Sequence, residues 1–143
     1  MKTPYMQNRI PRAASVGERA AFSRTLTEAD VALFIGVTWD VNPLHTDDSY
    51  VSEMPFQRRI VPGLLTASLL THLGGLWAFL AQEMKIKFLA PVYIGETITA
   101  EAVVVEADSE KNWVKLECRC VNSEGKEVLH AEIEGHPGRF EAS

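Results

Sequence analysis

Cysteine is scarce in this chain, basic residues are outnumbered, and one long stretch carries no charge at all. The 143 residues contain two cysteines, Cys118 and Cys120. They stand two apart in a segment of strand-like alternation, so both project from one face, where an unstrained mutual disulfide is disfavoured. With no CxxC spacing, a metal or redox role is not expected, and both are predicted to be buried thiols. Fourteen Lys and Arg against nineteen Asp and Glu give a net charge of -5. That balance offers no general attraction for a phosphate backbone, so nucleic acid is not an expected partner. Met1 to Arg12 is polar, holds two prolines and lacks an apolar h-region, so it does not read as a secretory signal, and a cytoplasmic protein is expected. The twenty-two residues from Ile60 to Ala81 include no acidic or basic side chain, a length that would span a bilayer. Pro62-Gly63, Gly74-Gly75, His72 and the hydroxyls of Thr66, Ser68 and Thr71 interrupt the run. A helix buried inside a soluble protein is therefore expected, with no membrane partner.

At 46% hydrophobic and 23% charged residues, the composition is that of an ordinary globular chain, and the length suits one domain over 1–143. Residues 1–14 are expected to form an irregular N-terminal arm. A first strand is predicted over Glu18 to Thr25, then a helix to about Val37 with Thr27 as N-cap and Asp30 reaching back to it. Trp39 to His45 is broken by Pro43 and reads as an ordered loop. Asp47 or Asp48 caps a short helix through Glu53, and the apolar helix runs from about Gly63 to Ala81. Beyond it the period changes to two, with strands predicted at 83–90, 95–107, 113–122 and 127–135, arranged as an antiparallel meander. Ile98, Ala100, Ala102 and Val104 share one face, as do Val114, Leu116, Cys118 and Cys120, while Lys115, Glu117 and Arg119 point away. The expected class is α+β, a long central helix wrapped by a curved antiparallel sheet of about five strands. So few strands leave an edge open, and a homodimer is the expected remedy.

Asp40 and His45 lie in one proline-fixed loop, close enough to converge on a single small molecule such as water. Histidine titrates near neutrality and a carboxylate can orient it, which suits a pair exchanging protons with water. Asn42-Pro43 between them sets the backbone direction, and Asn42 is expected to brace the loop. Pro62-Gly63 opens the apolar helix, where unpaired N–H groups can hold a carbonyl oxygen gaining negative charge, and Gly63 permits close approach. Ser68, a hydroxyl in apolar surroundings, must find a partner if buried, and the catalytic pair is one candidate. His72 shares a helical face with Ser68, but core packing is the plainer role. His130 and His136 read as surface or packing residues. Arg58, Arg59, Lys85 and Lys87 are candidates for the phosphates of a ligand, with solvated surface as the plainer reading. Phe34, Trp39, Trp77 and Phe79 are candidates for lining an apolar ligand pocket, though aromatic residues so spaced more often form core.

These residues resemble the MaoC-like (R)-specific enoyl-CoA hydratases of the hot-dog fold. Asp40-Val41-Asn42-Pro43-Leu44-His45 is similar to that family's D-x-N-P-L-H motif. Ile60 to Leu65 with Ser68 resembles the segment opening its central helix, and Phe88 to Glu96 the strand and turn that follow. The resemblance runs from about Thr25 to Glu134. It implies reversible hydration of a trans-2-enoyl thioester to an (R)-3-hydroxyacyl thioester, with no cofactor beyond the coenzyme A or acyl carrier protein of the substrate. Asp40 and His45 would hold the water, the Gly63 N–H would polarise the thioester carbonyl, and Ser68 would help position the pair. Two positions depart from the family: Trp39 stands where Gly is frequent, and Pro62 where His is. Thioester hydrolysis on the same fold, and a non-catalytic acyl-thioester-binding subunit, are the alternative readings.

Overall fold

The computed structural model describes residues 15–138, so the expected arm at 1–14 lies outside them. Five strands, β1 (Arg19–Thr25), β2 (Leu80–Phe88), β3 (Thr97–Asp108), β4 (Trp113–Val121) and β5 (Glu127–His136), form one sheet in the order β1-β3-β4-β5-β2. Every neighbouring pair is antiparallel. Five helices accompany it: α1 (Glu28–Thr38), α2 (Pro43–Thr46), α3 (Asp48–Ser52), α4 (Gly63–Ser68) and α5 (Leu70–Leu76).

The core follows from alternation. Ala100, Cys120 and Leu129 stand in register across β3, β4 and β5, as do Ala102, Cys118 and Ala131, then Val104, Leu116 and Ile133. All are buried, in one cluster with Leu65, Leu69, Leu70, Leu73 and Trp77 of the helical segment. Small Ala and Cys side chains mid-sheet let the helices dock closely while larger Leu and Ile fill the ends. Burying a side chain such as Leu73, 1% exposed, contributes about 2 kcal/mol. Both cysteines are free and buried, and burial pushes their thiols up to about 12, so they are inert packing groups.

Three expectations need correction. The loop expected over Trp39 to His45 ends in the short helix α2, because proline suits a first helical turn. Only β3, β4 and β5 form a meander; β2 sits beyond β5, at the edge opposite β1. Residues 89–96 are too long for a tight hairpin and bond to several elements, through Leu89 N–H to Val128 O, Val61 N–H to Val92 O and Gly95 N–H to Leu26 O. Alternation specifies strands, not their lateral order. The apolar helix is also shorter than Gly63 to Ala81, and is divided at Leu69. There the Ser68 hydroxyl donates to Leu65 O and the Thr71 hydroxyl to Ser68 O, each at 2.6 Å, competing for carbonyls the helix would use. Gly74-Gly75 weaken the next turn, Ala78 takes a positive φ of 47°, and Leu80 and Ala81 belong to β2.

Helix α1 begins as its sequence dictates. The Thr27 hydroxyl accepts from Asp30 N–H at 3.3 Å and the Asp30 carboxylate accepts from Thr27 N–H at 2.8 Å, a reciprocal box. It ends on Trp39, which has a left-handed φ of 57° and is 82% exposed. A glycine reaches that conformation without a Cβ penalty. Trp39→Gly should therefore raise stability by about 1 kcal/mol, read from the midpoint of urea unfolding.

Candidate active site

The stretch after Trp39 is tied down almost residue by residue. Asp40 N–H donates to the Thr38 hydroxyl at 3.2 Å, and Asp40 Oδ1 accepts from Asn42 N–H at 3.3 Å. Asn42 then caps α2, its side-chain oxygen accepting from Leu44 N–H at 3.0 Å, with Pro43 in the first helical position. The bracing expected of Asn42 is thus a cap. One turn later His45 is 7% exposed, and its Nδ1 lies 2.8 Å from Ile60 O. A carbonyl only accepts, so Nδ1 carries the proton and Nε2 keeps a free lone pair.

That lone pair points toward Asp40. Nε2 and Asp40 Oδ2 are 3.8 Å apart, too far for a direct hydrogen bond and suited to one oxygen atom bridging both. The histidine is buried while the carboxylate is 44% exposed. Asp40 has one oxygen anchored by the backbone and the other directed to the histidine.

Both residues line a cavity of about 650 Å3, with Phe34, Gly63, Phe88 and Val128 among its other walls. This size suits a small organic ligand, and the lining is largely apolar. Gly63 is the first residue of α4, so its N–H has no acceptor within the helix. Its neighbour Pro62 supplies neither an amide proton nor a side-chain cap. A Cβ on Gly63 would come within 2.7 Å of the Phe88 ring, so only glycine lets that ring close on the helix end. An apolar box with an acid-base pair and a backbone donor can bind a molecule carrying a carbonyl beside a reactive carbon and supply water to that carbon.

The other candidates are placed as follows. The Ser68 hydroxyl donates to Leu65 O within its own helix, not to Asp40 or His45. His72 stacks on Phe22, ring centroids 4.1 Å apart. His130 Nδ1 lies 2.7 Å from Glu127, and His136 Nδ1 lies 2.6 Å from Asn112 O. Phe34 lines the cavity, Trp77 is core with Nε1–H donating to Glu18 at 3.2 Å, and Phe79 lines a second apolar space of about 260 Å3 under α5. Arg58 stacks on the Tyr93 ring at 4.0 Å, Arg59 is held by carboxylates, and Lys85 and Lys87 are exposed.

Three participants have no sequence signature. Ile60 acts through its carbonyl, and Phe88 reaches Gly63 from β2, so neither residue type announces its role. Thr66 lines the cavity, is 2% exposed, and its hydroxyl finds no partner among the described residues. Replacing it by Val removes a desolvated polar group at nearly constant volume. Thr66→Val should therefore raise stability by about 1 kcal/mol, measured as a shifted urea midpoint.

Comparison with known proteins bears on the family and the fold. Residues 12–125 match the family described as MaoC like domain. An (R)-specific enoyl-CoA hydratase of Rhodospirillum rubrum is 35% identical over 121 residues, covering 81% of this chain and 83% of that protein. An (R)-specific enoyl-CoA hydratase of Aeromonas caviae is 32% identical over 127 residues, covering 85% and 93%. The solved structure of an (R)-hydratase from A. caviae superimposes with a TM-score of 0.84 at 29% identity, over 90% of this chain and all of that one (100%).

Proposed function

Because this chain belongs to the MaoC-like family and has its hot-dog fold, we infer that it is an (R)-specific enoyl-CoA hydratase, a hydro-lyase with Asp40 and His45 as its catalytic pair. The observation that carries the assignment of residues is the 3.8 Å gap between His45 Nε2 and Asp40 Oδ2 within an apolar cavity that also holds the free N–H of Gly63. A water bridging the pair is oriented by Asp40 and loses a proton to His45 Nε2 as its oxygen bonds to the β-carbon. The π electrons of the alkene move toward the thioester oxygen, where the Gly63 N–H stabilises the growing charge. As the carbonyl re-forms, His45 returns the proton to the α-carbon. One water has then been added, and the reverse sequence removes it. No electron is transferred, so the reaction calls for no redox cofactor. Ile60 O keeps His45 in the tautomer this needs.

The substrate in this reading is a trans-2-enoyl thioester of coenzyme A, with acyl carrier protein as the alternative carrier. A cytoplasmic setting belongs to the same reading; among the described residues no helix is long and apolar enough to cross a membrane. A homodimer also belongs to it. β2 is an uncovered edge strand, and Leu80, Met84 and Phe88 on it are 68%, 43% and 56% exposed, an apolar rim that a second copy would bury. Sedimentation at micromolar concentration tests this, and a monomer alone would count against it.

The decisive assay mixes the protein with short and medium enoyl-CoA substrates, following both loss of conjugation and release of free thiol. Hydration bleaches the conjugated enoyl absorbance with no thiol. Thiol release would indicate a thioesterase, and no change a binding subunit, and either would overturn the reading.

A further inference from the structure

Arg59 is bonded to three separate helices. Its Nη1 and Nη2 donate to the two carboxylate oxygens of Glu28 on α1 at 2.6 and 2.8 Å. Its Nε donates to Asp48 Oδ1 on α3 at 2.8 Å, and Nη1 also reaches His45 O at 3.2 Å. One planar guanidinium thus joins the start of α1, the start of α3 and the end of α2, the single turn that carries His45. A four-residue helix leaves its last carbonyls without partners, and Arg59 supplies a donor to one of them. The next residue, Ile60, holds the same histidine by its ring, accepting from Nδ1 at 2.8 Å while its own N–H donates to Leu44 O at 3.1 Å.

We propose that Arg59 is a positioning residue for the hydration reaction, acting through His45: Arg59 and Ile60 grip that residue by backbone and ring, and set its Nε2 opposite Asp40. This rests on the function proposed above. Glu28 and Asp48 are 64% and 82% exposed, so water screens these ion pairs and limits what even the bidentate fork to Glu28 adds to stability. Geometry is different, because a displacement of about 1 Å at a proton-transferring group costs up to a hundredfold in rate. Loss of Arg59 should therefore lower turnover out of proportion to its effect on folding.

The test measures hydration of a short trans-2-enoyl-CoA by Arg59→Met, Arg59→Lys and Glu28→Gln. Arg59→Met should lower kcat about ten- to hundredfold with KM changed less than about threefold, and Arg59→Lys should restore part of the loss, because an ammonium lacks the fork. Glu28→Gln, which leaves Arg59 in place but loosens it, should cost severalfold. Adding Arg59→Met to His45→Gln should change the residual rate less than about twofold, since residues acting as a unit are non-additive. An active wild type with undiminished Arg59→Met turnover, or the same loss recurring in the His45→Gln background, overturns the assignment and leaves the hydratase reading intact. If Arg59→Met fails to fold, unchanged kcat in Glu28→Gln overturns it. An inactive wild type would instead strike the hydratase reading itself.

Discussion

Asp40→Asn and His45→Gln each lower hydration turnover roughly a hundredfold to ten-thousandfold, the span over which a lost general acid or base is felt. Both replacements keep approximate size and polarity. The Asp40 carboxylate is 44% exposed and 3.8 Å from its partner, so the contact itself contributes little to stability. His45→Gln loses the bond to Ile60 O, worth about 1 kcal/mol, so the folded state should persist. The double variant should be little slower than either single one, because both residues act on the same water. Steady-state rates on an enoyl-CoA, taken beside urea unfolding curves, separate the possibilities. Full activity in a folded Asp40→Asn protein would sink the mechanism, and losses of rate that merely track losses of stability would leave Asp40 a cap and His45 a packing group.

The second large effect lies away from the cavity. Gly135 in β5 pairs with Ala81, where β2 carries a bulge between Ala81 and Glu83. That irregularity pushes the Leu80 carbonyl against the glycine, so a Cβ there would run into Leu80 O, with Ala81 Cα at 2.9 Å. Both obstacles are backbone and cannot rotate aside. Gly135→Ala should cost on the order of 3 kcal/mol or more, the upper range for overpacking. It should also prise the start of β2 from β5, and β2 carries Phe88 to the cavity. A urea midpoint within experimental scatter of the wild type would show that the strands slide apart freely and that the bulge is soft.

Much of the site was legible because its chemistry is local. Asp40, Asn42, Pro43 and His45 fall within six residues, and a capping asparagine followed by proline makes a turn that brings an acid and an imidazole together whatever surrounds it. Gly63 was legible for a related reason, since a glycine after proline at the start of an apolar run marks a helix end with spare N–H groups. Ser68 shows the limit. A buried hydroxyl needs a partner, but the partner was Leu65 O, one turn back in its own helix. Arg59 read as a surface cation because Glu28 is thirty-one residues away in sequence.

The sequence by itself determined the class and most elements: period two made the strands, the Thr27 and Asp30 box began α1, and the alternation of apolar and polar side chains chose which sheet face is core. Those are properties of neighbouring residues, and neighbours interact whatever the fold. Only the tertiary structure decided that β2 lies beside β5 instead of β3, that the apolar helix divides at Leu69 and stops at Leu76, and which groups touch His45. Each depends on where a distant backbone carbonyl, ring or carboxylate comes to rest, and that position is set by packing the whole chain around one core.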